Sequence, residues 1–118
     1  MLFKEGYLNL PLKLEIPVTP AEFKLGLMFR ESLDEDCGML FVFSESSEKS
    51  FHMNHTQIPL DIAFINANGI IESIKELQPL NPVPVYSDAD VMFALEVNRG
   101  WFAENSVFEG DQILTLKK

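Results

Sequence analysis

A single cysteine, Cys37, leaves the 118-residue chain without any internal disulfide. That fits a reducing compartment without requiring one. Cys37 sits between Asp36 and Gly38 with no basic neighbour to stabilise a thiolate, so thiol catalysis is not expected. Positive charge is also scarce. Nine Lys and Arg face eighteen Asp and Glu, for a formal net charge of −9. A mean field of that sign repels phosphate backbones, so nucleic acid is not an expected partner. The densest basic spot, Lys117–Lys118, is expected to be solvated rather than a phosphate-binding patch. No apolar run approaches the roughly 18 residues that a membrane-crossing helix needs, so no membrane partner is expected either. The first residues, MLFKEGYLNLP, lack a basic start followed by an apolar stretch. The expectation is a chain without a secretory signal, cytoplasmic or exported with the signal removed.

What remains is apolar enough to fold unaided. Residues of the hydrophobic types make up 47% of the chain, sufficient for one core in one domain over residues 1–118. From Leu8 to Val18 apolar residues alternate with mostly polar ones, a period of two that marks a half-buried strand. Pro11 and Pro17 cannot donate to a ladder, so the segment is either an edge strand or two short strands bent at Pro11. Thr19-Pro20-Ala21-Glu22 has the form of a capping box with proline at the first helical position, and predicts a helix over about 20–29. Gly26 inside it costs about 1 kcal/mol against alanine and marks a close backbone contact.

GMLFVF at 38–43 predicts a central strand, 44–50 a polar hairpin loop, and 51–55 a short returning strand. Asn68-Gly69 between apolar runs at 60–66 and 70–77 is a strong hairpin signal. Residues 78–90, with three prolines, read as an extended loop. Further strands are expected at 92–97 and 112–116, with one helical turn at 101–106. The sum is an α+β, β-rich domain: a mostly antiparallel twisted sheet or small open barrel with one or two short helices.

Three blocks carry a family resemblance. They are GLMFRESL (Gly26–Leu33) followed by GMLFVF, then FHMNHTQIPLDIAFI (Phe51–Ile65) followed by NGIIESI, and finally ALEVNRGWF (Ala94–Phe102) leading to EGDQI. In order and spacing they resemble the domain of unknown function 192 family, over about Leu14 to Ile113. The resemblance implies a compact β-rich domain of bacterial, archaeal and viral proteins, many of them secreted or envelope-associated. It implies no catalytic mechanism. The family usually reads FWMKNT where this chain has FHMNHT, so His52 and His55 are departures from its pattern.

Six residues are candidates for a site: Arg30, His52, His55, Asp61, Glu96 and Trp101. The two histidines suggest a metal pair. On a regular strand, however, positions three apart point to opposite faces, so two separately bonded imidazoles are expected and no metal. Arg30 suits a carboxylate or phosphate clamp, or an ion pair to Asp61 or Glu96. Asp61 is either a ligand acceptor or general base, or a carboxylate that bonds nearby backbone amides. Glu96, mid-strand, is expected on the wet face. Trp101 either stacks on a sugar or covers the edge of the core. Met28, Met39 and Met53 read as core filling.

No nucleophile motif and no phosphate-cradling glycine loop is present. The first expectation is therefore a non-enzymatic small-ligand-binding or accessory module for a polar ligand, a sugar among the candidates, with a cleft near Arg30, His55 and Asp61. No cofactor is implied. The alternatives are a small metal-dependent or general-base hydrolase using His55 and Asp61, and an interaction domain that dimerises through the 8–18 edge. A monomer or weak homodimer follows from these.

Overall fold

A computed structural model describes residues 1–117. Its ten strands are β1 (Leu2–Phe3), β2 (Gly6–Leu8), β3 (Lys13–Glu15), β4 (Cys37–Ser47), β5 (Ser50–Phe51), β6 (Leu60–Ile65), β7 (Ile71–Leu77), β8 (Val85–Tyr86), β9 (Val91–Asn98) and β10 (Leu114–Leu116). Two short helices, α1 (Pro20–Leu25) and α2 (Trp101–Glu104), complete the set. The main sheet has the order β3-β4-β9-β6-β7, with β1-β2-β10 and β5-β8 as smaller sheets. Only β3, against β4, pairs in parallel. The fold is thus β-rich and mostly antiparallel as expected, but the sheets stay open and do not close into a barrel.

β9 lies between β4 and β6, and from Phe93 to Val97 every residue is buried. Strand alternation sends its neighbours to two cores. Phe93, Leu95 and Val97 join Leu40, Ala63 and Ile65 beneath α2 and the three-stranded sheet. Ala94 joins Met39, Phe41, Ile62 and Phe64 on the other face, beneath the segment after α1 and the 53–60 loop. Both faces of the sheet are covered, so its central strands read as continuous apolar runs.

Local chemistry sets the ends of the elements. The Thr19 hydroxyl accepts from the Glu22 amide at 3.1 Å, and the Glu22 carboxylate accepts from the Thr19 amide at 2.9 Å. The backbone amides of Thr19 and Val18, both donating to it, hold the Glu22 carboxyl below its ordinary value. The helix stops at Leu25, short of the expected Phe29, because Gly26 takes φ +48° and turns the chain out. A β-carbon there would meet the Phe41 ring tip at 3.6 Å, an ordinary van der Waals contact, so the positive φ and not a close backbone contact calls for glycine.

The period-two segment is strand only at Leu8, the last residue of β2, and at Lys13–Glu15, where β3 forms a three-residue edge of the main sheet; β2 itself lies between β1 and β10 in a different sheet. The 44–50 segment is not a hairpin loop. β4 continues to Ser47 through an irregular register, and β5 turns away to pair with β8. The 78–90 segment thereby contains a strand, while 52–55 do not. The β6–β7 hairpin closes as expected, with the Asn66 side-chain carbonyl accepting from the amides of Asn68 (2.9 Å) and Ile70 (3.1 Å).

Candidate functional site

The second face of the sheet is not fully sealed. A cleft of about 220 Å³ opens between the α1–Met28 segment and residues 50–56. Its apolar lining comes chiefly from Phe23, Phe41, Phe43 and Phe51. These rings form one cluster, with centroids of Phe41 and Phe51 4.9 Å apart at 68° and of Phe23 and Phe43 5.8 Å apart. Tilted and edge-on contacts of this kind are the favoured geometry of phenyl rings. On Phe43 the Lys49 ammonium sits 4.5 Å from the ring centroid, tied by a 2.6 Å bond to the Ser47 hydroxyl.

The polar lining is sparse: Ser50, His52, Thr56, Lys24 and Glu96. Glu96 pairs with Met39 on β4 and with Ile62 on β6, at the middle of the sheet. It is 5% exposed, so the expected wet-face position is corrected. Alternation along β9 requires the opposite: with Leu95 and Val97 committed to one core, Glu96 must enter the other. Among the described residues no donor bonds its carboxyl. Burial alone pushes that group up from 4.5 to about 8, so it is mostly protonated at neutral pH. Thr56, 4% exposed, lines the same cleft.

The other candidates disperse. His52 lines the cleft, and its Nδ1 accepts from the Asn54 amide at 3.3 Å. His55 lies outside it, stacked on the exposed Phe29 ring at 5.2 Å. Among the described residues no cluster of three or more His, Cys, Asp or Glu has the arrangement of a metal site. Arg30 pairs with neither Asp61 nor Glu96. It forms a two-pronged bond to Glu15, at 2.6 and 3.1 Å, which raises the guanidinium further. Asp61 bonds a backbone amide, but a distant one: it accepts from Gly100 at 2.9 Å and lies 3.3 Å from the Arg99 guanidinium. Asp61 and Glu96 face opposite sides of the sheet, since Asp61 shares its face with Ala63 and Ile65. Trp101 is 4% exposed, and its indole N–H donates to Asp36 at 2.9 Å, which makes it part of the core edge and closes it to sugar stacking.

Two features fall largely within the resembling blocks but are not among the six candidate residues. Arg99 ties three strands together, donating to the carbonyls of Leu60 (3.2 Å) and Leu77 (3.0 Å). The phenyl cluster was foreshadowed only by the spacing of Phe41 and Phe43, two apart on one strand.

The model of DUF192, described as an uncharacterized ACR, matches residues 3–115. The chain belongs to the DUF192 family. A crystal structure from Sinorhizobium meliloti 1021, named a "putative transcription regulator", is 34% identical with a TM-score of 0.82, covering 86% of this chain and 79% of its own. A protein of unknown function from Novosphingobium aromaticivorans DSM 12444 is 31% identical, also with a TM-score of 0.82, covering 86% and 74%. No curated protein matches the chain. Within this DUF192 domain, Gly26–Met28, Phe41 and Phe43 come from the first resembling block, His52 from the FHMNHT stretch and Glu96 from the ALEV stretch, so all three blocks meet in the cleft.

Proposed function

We propose that this DUF192 domain is a small-ligand-binding module whose site is the phenyl-lined cleft. One observation carries the reading: Glu96, buried in the middle of the sheet, keeps a carboxyl without a protein partner and lines an open cavity. Buried polar groups are ordinarily hydrogen-bonded, and a carboxyl that faces an open apolar cleft without a protein donor leaves its bonds to water or to a ligand. The volume is below the roughly 300–1,000 Å³ of drug-sized sites, so the cleft takes a fragment of few atoms or one end of a longer molecule.

A general-acid role for Glu96 is the second reading, favoured by its protonation at neutral pH. No second carboxylate lines the cleft to complement it. The hydrolase pairing of His55 with Asp61 has no geometric support, because the two do not share a cleft. The transcription role in the Sinorhizobium protein's name is not carried over, since a net charge of −9 opposes contact with phosphates.

The test is an amide NMR screen of the folded domain against sugars, polyols, carboxylates and amines at millimolar concentration. Shifts concentrated at residues 23–28, 50–56 and 94–97 are expected for at least one class. A panel that moves none of these amides overturns the binding reading.

A further inference from the structure

We infer that the ligand group received by the cleft is an organic ammonium, with Glu96 as its counter-ion and the rings of Phe23, Phe41, Phe43 and Phe51 as its walls. This rests on the binding reading above and names its chemical class. Three observations converge on it. The Glu96 carboxyl lacks any donor among the described residues, and an ammonium brings up to three N–H groups together with the charge that lets the carboxylate ionise in a dry setting. Phenyl faces carry the negative end of the ring quadrupole and attract cations. Phe43 already does so, holding the Lys49 ammonium 4.5 Å from its centroid. The acidic domain as a whole concentrates cations near its surface.

The register places the charge and the rings together. Glu96 and Phe41 are diagonal cross-strand neighbours on one face, because Met39 opposes Glu96 and Phe41 opposes Ala94. Such neighbours lie about 7–8 Å apart at the backbone, within reach of long and aromatic side chains, so a cation held by the Glu96 carboxyl can also touch the Phe41 ring. From the other strands against Glu96 come Met39, Ile62 and Phe64, none ionisable. Among the described residues, the other ionisable groups lining the cleft are Lys24 and His52, both exposed.

Binding is then coupled to a proton. The free site holds a neutral carboxyl at pH 7. On binding, the carboxyl O–H breaks, its proton leaves to solvent, and the carboxylate pairs with the ammonium. Affinity therefore rises with pH until the free carboxyl is already ionised.

The probe is n-butylammonium chloride, with 1-butanol as its neutral counterpart, titrated into the full chain while amide shifts are followed. An alkylammonium stays charged well past neutrality, as a lysine does. Between pH 7 and pH 9 the affinity for n-butylammonium is expected to rise about tenfold, the factor set by a carboxyl that titrates near 8. An unbuffered titration at pH 7 should release close to one proton per probe bound. Glu96→Gln, of the same shape, should remain folded and lose both the pH dependence and the proton release. Butanol that binds as tightly as the amine, or an amine affinity flat with pH, overturns the ammonium assignment but leaves the cleft as a binding site. An amine that moves no cleft amide while another class in the screen does has the same meaning. Silence of the whole screen removes both readings.

Discussion

Replacing Glu96 by glutamine should stabilise the domain at neutral pH and leave it almost unchanged in acid. In the folded chain the carboxyl stays neutral up to about pH 8, whereas in the unfolded chain it ionises from 4.5. Between those values the unfolded state has given up a proton that the folded state retains. The contribution of this group to stability is therefore complete below pH 4.5 and is lost as pH rises toward 8. At about 1.4 kcal/mol per pH unit, some 3 kcal/mol is gone by pH 7. Glutamine has no proton to lose and escapes that cost. With an unfolding entropy of about 2 cal/mol/K per residue, the variant should melt about 13 °C above wild type at pH 7. The assay is a series of circular-dichroism melts of both proteins from pH 4.5 to pH 8.5. The charge of the rest of the chain affects both alike and cancels in the difference. A difference in midpoint that stays constant with pH would refute the reasoning, because it would mean that Glu96 ionises in the fold as easily as in water.

Gly69→Ala should cost more than 2 kcal/mol in urea unfolding. Gly69 has φ +81°, and an added β-carbon would be driven into the Leu114 carbonyl oxygen. A loss below 0.5 kcal/mol would show that β10 can move aside freely. Arg99→Lys should cost about 1–3 kcal/mol in the same assay, since one ammonium cannot replace the fork that reaches the Leu60 and Leu77 carbonyls and Asp61 together. An unchanged denaturant midpoint would contradict it.

The β-rich architecture was legible because its signals are local. The capping box at Thr19–Glu22, the Asn-Gly turn before β7 and the apolar run of β4 each act through neighbours in sequence. The domain's family was legible for the same reason, in three short blocks. The destination of a strand was less so. β5 pairs with β8 across a gap of more than thirty residues, and nothing in the Ser44–Ser50 composition distinguishes that partner from a hairpin return. For the site, the sequence pointed to His52 and Glu96, which do meet in the cleft, and to Arg30, His55, Asp61 and Trp101, which do not. Glu96 was misplaced because a carboxylate in a strand is ordinarily a surface residue. Only the knowledge that β9 is central, with both faces covered, reverses that inference. Arg99 was missed because half of what its fork reaches, the Leu60 and Leu77 carbonyls, is backbone, which leaves no trace in residue type, and its carboxylate neighbours Asp61 and Glu76 are distant in sequence.

The place of β9 also fixes the order in which the molecule can assemble. The hairpin of β6 and β7 can close on its own, but β4 and β6 become neighbours only through β9, from Gly38 opposite Val97 to Leu60 opposite Asn98. Until residue 98 has left the ribosome, two strongly apolar strands present unpaired edges. Such edges invite pairing with other chains. Folding of this domain is thus a late, non-local event, expected on the slower millisecond-to-second scale of sheet proteins. Its yield in the cell depends on how quickly one strand arrives to fill the gap between two others.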